Sequence, residues 1–152
     1  GLAWALMAWP ERPDAQARAG ALLDELLARA PAHGAALLAR AELHRSRGEF
    51  PQAQALLERL PPTHPAQVEA ELAKARLALD QEDPYRALRL LEPLAQARSD
   101  LAQVGLDLAL AQVRAGRSAA ARATVAQVAE RLPARHALRA HAQSILDSVR
   151  RR

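Results

Sequence analysis

The chain has 152 residues, half of them hydrophobic but only 3% aromatic, with 21 basic and 17 acidic side chains and a formal charge of +4. It has no cysteine, which excludes disulfides and thiolate metal sites and leaves the redox compartment open. No run of about 18 apolar residues reads as a membrane-spanning helix, and the scarcity of β-branched and aromatic residues beside abundant alanine and leucine predicts an all-α fold.

Residues 1–9 read as a short helix with Trp4, Leu6, Met7 and Trp9, broken by Pro10-Glu11-Arg12-Pro13. This stretch lacks a basic leader and meets Pro10, so it is not read as a signal peptide. Asp14 is the expected N-cap of a helix running to about Ala30, in which Leu22, Leu23, Leu26 and Leu27 recur at helical spacing. Pro31-Ala32-His33-Gly34 ends it. A helix from about Ala35 to Ser46 follows, then a turn at Gly48 and a helix opening at Pro51 that Pro61-Pro62 stops early. Val68, Leu72, Ala75 and Leu79 form the stripe of the next helix. Asp83-Pro84 opens its partner, with Ala87, Leu88, Leu91 and Leu94 facing inward. A further pair runs from about Ala102, with Asp100 as its expected cap, and from Ser118 to Leu132. His136 to Arg152 places Leu138, Ala142, Ile145, Leu146 and Val149 on one side, the pattern of a helix closing an open core.

These segments repeat. Ala41, Gly48, Ala53 and Pro65 map 34 residues on to Ala75, Glu82, Ala87 and Ser99, and again to Ala109, Gly116, Ala121 and Pro133. A fixed period of this length signals stacked helical hairpins. The small residue midway along the first helix, the turn glycine, the early alanine of the second helix and the terminal proline resemble the tetratricopeptide repeat family; Phe50 takes its aromatic turn position. The family's large aromatic in the first turn is replaced by Leu37, Glu71 and Gly105, and its leucine before the small residue by Arg40 and Lys74, with Leu108 keeping it. The resemblance implies a right-handed α-solenoid of about four helix-turn-helix hairpins in one domain: repeats 1–33, 34–67, 68–101 and 102–135, and a C-terminal capping helix at 136–152. The first residue being Gly1, the chain is read as a segment of a larger protein.

Tetratricopeptide arrays typically hold a protein or peptide in a groove lined by the first helix of each hairpin. Carried over, that groove comprises Trp4, Leu38, Leu72 and Leu106 in one row, Glu42, Arg76 and Leu110 in the next, and Arg45 and Arg114 beyond. Leu72 also lies on the Val68–Leu79 stripe, so groove and core both remain open for the leucines. The Lys and Asn of the family's carboxylate clamp are absent from these rows. No nucleophile elbow, nucleotide loop or dense acidic cluster is present. His136 and His141 are five apart rather than on one helical face, and His33 and His64 read as surface residues of proline linkers. Catalytic residues, metal and cofactor are therefore not expected.

The expectation is a non-catalytic scaffold for a protein partner. Its Ala/Leu/Arg-rich make-up resembles proteins of high-GC bacteria, and related degenerate arrays occur in periplasmic exopolysaccharide-export and envelope assemblies and, next, in cytoplasmic adaptors. The alternative is a nucleic-acid module: residues 102–152 hold nine of the 21 basic side chains and three of the 17 acidic ones. Against it, the arginines do not recur at one repeat position and stacking aromatics are few. The sequence leaves the oligomeric state open.

Overall fold

Alanine and leucine at helical spacing fold as the composition dictates. A computed structural model describes residues 13–133 and 136–150, and among them every regular element is a helix. In chain order these are α1 (Pro13–Arg29), α2 (Gly34–Ser46), α3 (Phe50–Glu58), α4 (Gln67–Asp80), α5 (Pro84–Ala97), α6 (Ala102–Arg114), α7 (Ser118–Arg131) and α8 (Leu138–Arg150). The chain divides into two compact units, Gly1–Ala73 and Lys74–Arg152.

In the first unit α1 starts at Pro13, one residue before the expected cap. Asp14 is thus inside the helix rather than its cap. Ala15, Ala19, Leu23 and Leu27, four residues apart, form its buried stripe. Leu22 and Leu26 do not share it: they are 45% and 37% exposed on the outer face. Helix α2 packs against both α1 and α3. It therefore buries Ala36, Leu37, Ala39, Ala41 and Leu43, more than one stripe. The core gathers Leu23, Leu27, Leu37, Leu60 and Ala70, each leucine contributing roughly 1.5–3 kcal/mol by leaving water. Arg40 stands where the family has leucine because its guanidinium forks onto Asp24 of α1 at 2.8 and 2.9 Å, and Gly20 leaves room for it.

The linker histidines have structural work that sequence did not assign. His33 caps α2, its Nδ1 accepting from the Ala36 N–H at 3.2 Å. His64 Nδ1 accepts from the Ala66 N–H at 3.0 Å while its ring covers Gly34, where a Cβ would overlap it. His136 does the same for the Leu138 N–H at 3.1 Å.

In the second unit α6 packs against α5, α7 and α8, and α8 against both α6 and α7. Leu106, Ala109, Val113, Ala121, Val125 and Val128 meet Ala142, Ile145 and Val149 of α8 in one cluster, with Leu138 and Leu146 at its edge. Arg139 ties α8 down further, donating to the carbonyls of Ala129, Leu132 and Pro133 that end α7. Asp83 caps α5 through the Arg86 N–H at 2.9 Å. Asp100 does not cap α6, whose N-cap is Leu101. Arg98 takes its carboxylate instead, at 3.0 and 3.1 Å, and holds it below the usual carboxylate range.

The period of 34 is written into the backbone. After α2, α4 and α6 come Gly48, Glu82 and Gly116, with φ of 73°, 58° and 76°. At each, the residue's N–H bonds back three carbonyls, and the next N–H bonds back five: Glu49 to His44, Asp83 to Ala78, Arg117 to Gln112. This is the Schellman ending, which satisfies the last carbonyls and reverses the chain. The paired alanines before and after each turn, Ala41/Ala53, Ala75/Ala87 and Ala109/Ala121, are all at most 2% exposed. Without bulk there, the two helices of a hairpin approach closely.

Candidate functional site

Helix α2 sits between two neighbours and offers outward the positions that neither covers. Leu38 is half-buried against the first unit's core. Glu42 and Arg45, one turn apart, are joined by two hydrogen bonds of 2.8 and 2.6 Å. Leu72 is 9% exposed, a core side chain with only an edge at the surface. Trp4 lies outside the described residues.

In the second unit the expected residues separate into support and surface. Leu106 is fully buried within the α6–α7–α8 cluster. It is core, because α6 is enclosed on that side by α7 and α8. Leu110 is half-buried at the edge of the same cluster. Arg114 is exposed and makes no ion pair among the described residues.

Arg76 is held in place by a residue the sequence did not point to. Its Nε and Nη2 both donate to Asp107 Oδ2, at 2.9 and 2.8 Å, and Gln103 Nε2 donates to Asp107 Oδ1 at 2.8 Å. The Asp107 side chain is 6% exposed, that of Arg76 42%. A carboxylate this buried is tolerated only when paired and hydrogen-bonded. The readable signal was a pair of opposite charges 31 residues apart, one turn short of the repeat, on successive first helices. Gln112 is also buried, its Oε1 accepting from the Thr124 hydroxyl at 3.0 Å.

Residues 15–77 match the family model described as tetratricopeptide repeat. That stretch is similar to tetratricopeptide repeats. No curated protein matches the chain. Among solved structures, the crystal structure of YrrB, a TPR protein with an unusual peptide-binding site, has the same fold: TM-score 0.62 at 16% identity, covering 97% of this chain and 80% of that one.

Against the tetratricopeptide frame, Gly105 stands where the large first-turn residue belongs. Val128 of α7 fills the space, and a cleft of about 120 Å³ remains beside it, lined by Leu101, Leu108, Thr124, Gln127 and Arg131 among others. Three guanidiniums of the arginine-rich third are tied to their own fold. Arg117 pairs with Glu92 at 3.1 Å, Arg131 donates to the Ser99 carbonyl, and Arg139 caps α7. Among the described residues no three His, Asp or Glu cluster in a metal-binding arrangement, and no helix is long and apolar enough to cross a membrane.

Proposed function

We propose that this tetratricopeptide chain is a non-catalytic scaffold that docks a protein or peptide on the outward faces of its first helices. Those faces are Leu38, Glu42 and Arg45 in the first unit and Arg76, Leu110 and Arg114 in the second, whereas Leu72 and Leu106 are buried. The observation that carries the reading is Arg76, a half-exposed guanidinium fixed by the buried Asp107, with half-exposed Leu110 and exposed Arg114 following Asp107 by three and seven residues on α6. A rigid, already oriented polar group next to apolar surface costs little to order on binding. The repeat family, whose members serve as protein-interaction scaffolds, supports the same function. We place the scaffold in a bacterial envelope or exopolysaccharide-export assembly, on the compositional resemblance alone.

Affinity capture from a lysate tests this, with nuclease treatment, a salt series and the exposed-site variant Arg114→Glu as control. A discrete protein retained after nuclease and lost with Arg114→Glu supports docking at this face and names the assembly. Recovery of nucleic acid alone, released steeply with salt, overturns it.

A further inference from the structure

We infer that the docking face of the second unit selects an acidic partner segment: two carboxylates flanking an apolar residue. The inference rests on the docking reading above and adds the partner's chemistry.

Asp107, Leu110 and Arg114 stand at i, i+3 and i+7 on α6, one face of the helix. At 1.5 Å per residue the ends of that strip are about 10 Å apart along the axis. At one end the surface group is the Arg76 guanidinium, because Asp107 lies under it with both carboxylate oxygens engaged. At the other end is Arg114, with no ion pair among the described residues. Between them is half-buried Leu110. The face thus offers guanidinium, apolar contact and guanidinium in line, the first sharing its charge with Asp107 beneath it. Arginine's planar fork suits carboxylates in particular.

The surroundings agree in sign. The second unit carries 14 basic and eight acidic side chains, a field that draws anionic segments in. Carboxylates about 10 Å apart are what two glutamates seven residues apart on a helix present, with an apolar residue three after the first.

The test is fluorescence anisotropy with the full chain and a labelled, alanine-based helical peptide carrying Glu-Leu-Glu at i, i+3 and i+7. Lys-Leu-Lys and Gln-Leu-Gln versions are the comparisons. The Glu peptide should bind about tenfold more tightly than the Gln peptide, the difference shrinking with salt. The Lys peptide should not bind, and Arg114→Glu should abolish the preference. Equal binding of the three peptides, still sensitive to Leu110→Ser, would sink the acidic preference and leave the docking face standing. Failure of all three peptides, with partner capture untouched by Arg114→Glu, would remove both.

Discussion

The methyl Cγ2 of Val128 occupies the space that a β-carbon on Gly105 would need. The two residues are complementary in size. A small first-turn residue on α6 accepts a branched side chain from α7, where other repeats of the family carry bulk on the first helix. Gly105→Ala therefore combines a helix-propensity gain of up to about 1 kcal/mol with an overlap costing about 1–3 kcal/mol. We expect net destabilisation. In Gly105→Ala/Val128→Ala the overlap disappears, so the double mutant should be more stable than the sum of the single changes by at least about 1 kcal/mol. Urea unfolding of the four proteins gives this coupling; additivity would show that the helices simply move apart.

Glu82 is the third turn residue, and it adopts a φ of 58° without being glycine. A side chain in the left-handed region costs roughly 1–2 kcal/mol. Glu82→Gly should raise stability by about 1 kcal/mol and shift the thermal midpoint upward, whereas Gly48→Ala and Gly116→Ala should each lower it by a similar amount. A lower midpoint for Glu82→Gly would mean that the glutamate side chain makes up for its backbone.

How far the sequence carried is clear from these two cases. Glu82 was placed in register with Gly48 and Gly116 by counting alone, because the helical hairpin is a local structure with its own turn chemistry. The buried alanines followed for the same reason. Gly105 and Val128 were not legible as partners, since the sizes of two side chains 23 residues apart become complementary only when their helices touch. Leu22 and Leu23 are adjacent leucines with opposite fates. Periodicity found their helix but did not say which side of a helix with two apolar stripes meets the neighbour. Arg76 was read as a groove position, but its fixation by Asp107 depends on a contact between separate helices.

His33 reads as a surface residue, yet it performs the task usually given to Ser, Thr, Asp or Asn at a helix start. Replacing it by Ala should cost about 1 kcal/mol, and replacing it by Asp should restore or exceed the original stability, since a carboxylate also favours the helix N-terminus. Thermal unfolding of the two variants decides this. Equal loss in both would show that the imidazole acts through packing instead.

The Arg98–Asp100 pair gives a small pH signature. The Arg98 guanidinium holds the Asp100 carboxyl below its usual range in the folded chain. A lowered folded value means that the contribution is present above the carboxyl's unfolded value and is lost as pH falls through the folded one. The pair is on the surface, so the effect is small and salt-sensitive. In Arg98→Gln, the difference from the parent protein should narrow on acidification across the acid range, and it should do so less at high salt. A constant difference would mean that Arg98 contributes through packing around the cleft it lines.

The asymmetry of the Arg76–Asp107 pair makes its two ends unequal. Asp107 is enclosed, while Arg76 reaches solvent. Arg76→Ala strands a buried carboxylate, with Gln103 its remaining partner, and should destabilise the second unit by about 3 kcal/mol. Arg76→Glu should do worse, placing a second carboxylate against the first. Asp107→Asn leaves an arginine that water can still solvate and keeps a polar group for Gln103, so its cost should be about 1 kcal/mol. The order Arg76→Glu, Arg76→Ala, Asp107→Asn, from most to least damaging, is readable from chemical denaturation. The consequence for binding follows. Loss of a partner in either Arg76 variant would mix unfolding with lost contact, whereas Asp107→Asn frees the guanidinium without removing it. If the fixed orientation of Arg76 matters to docking, Asp107→Asn should weaken capture while the fold persists. If only its charge matters, capture should be unchanged or stronger, because the neutralising carboxylate is gone.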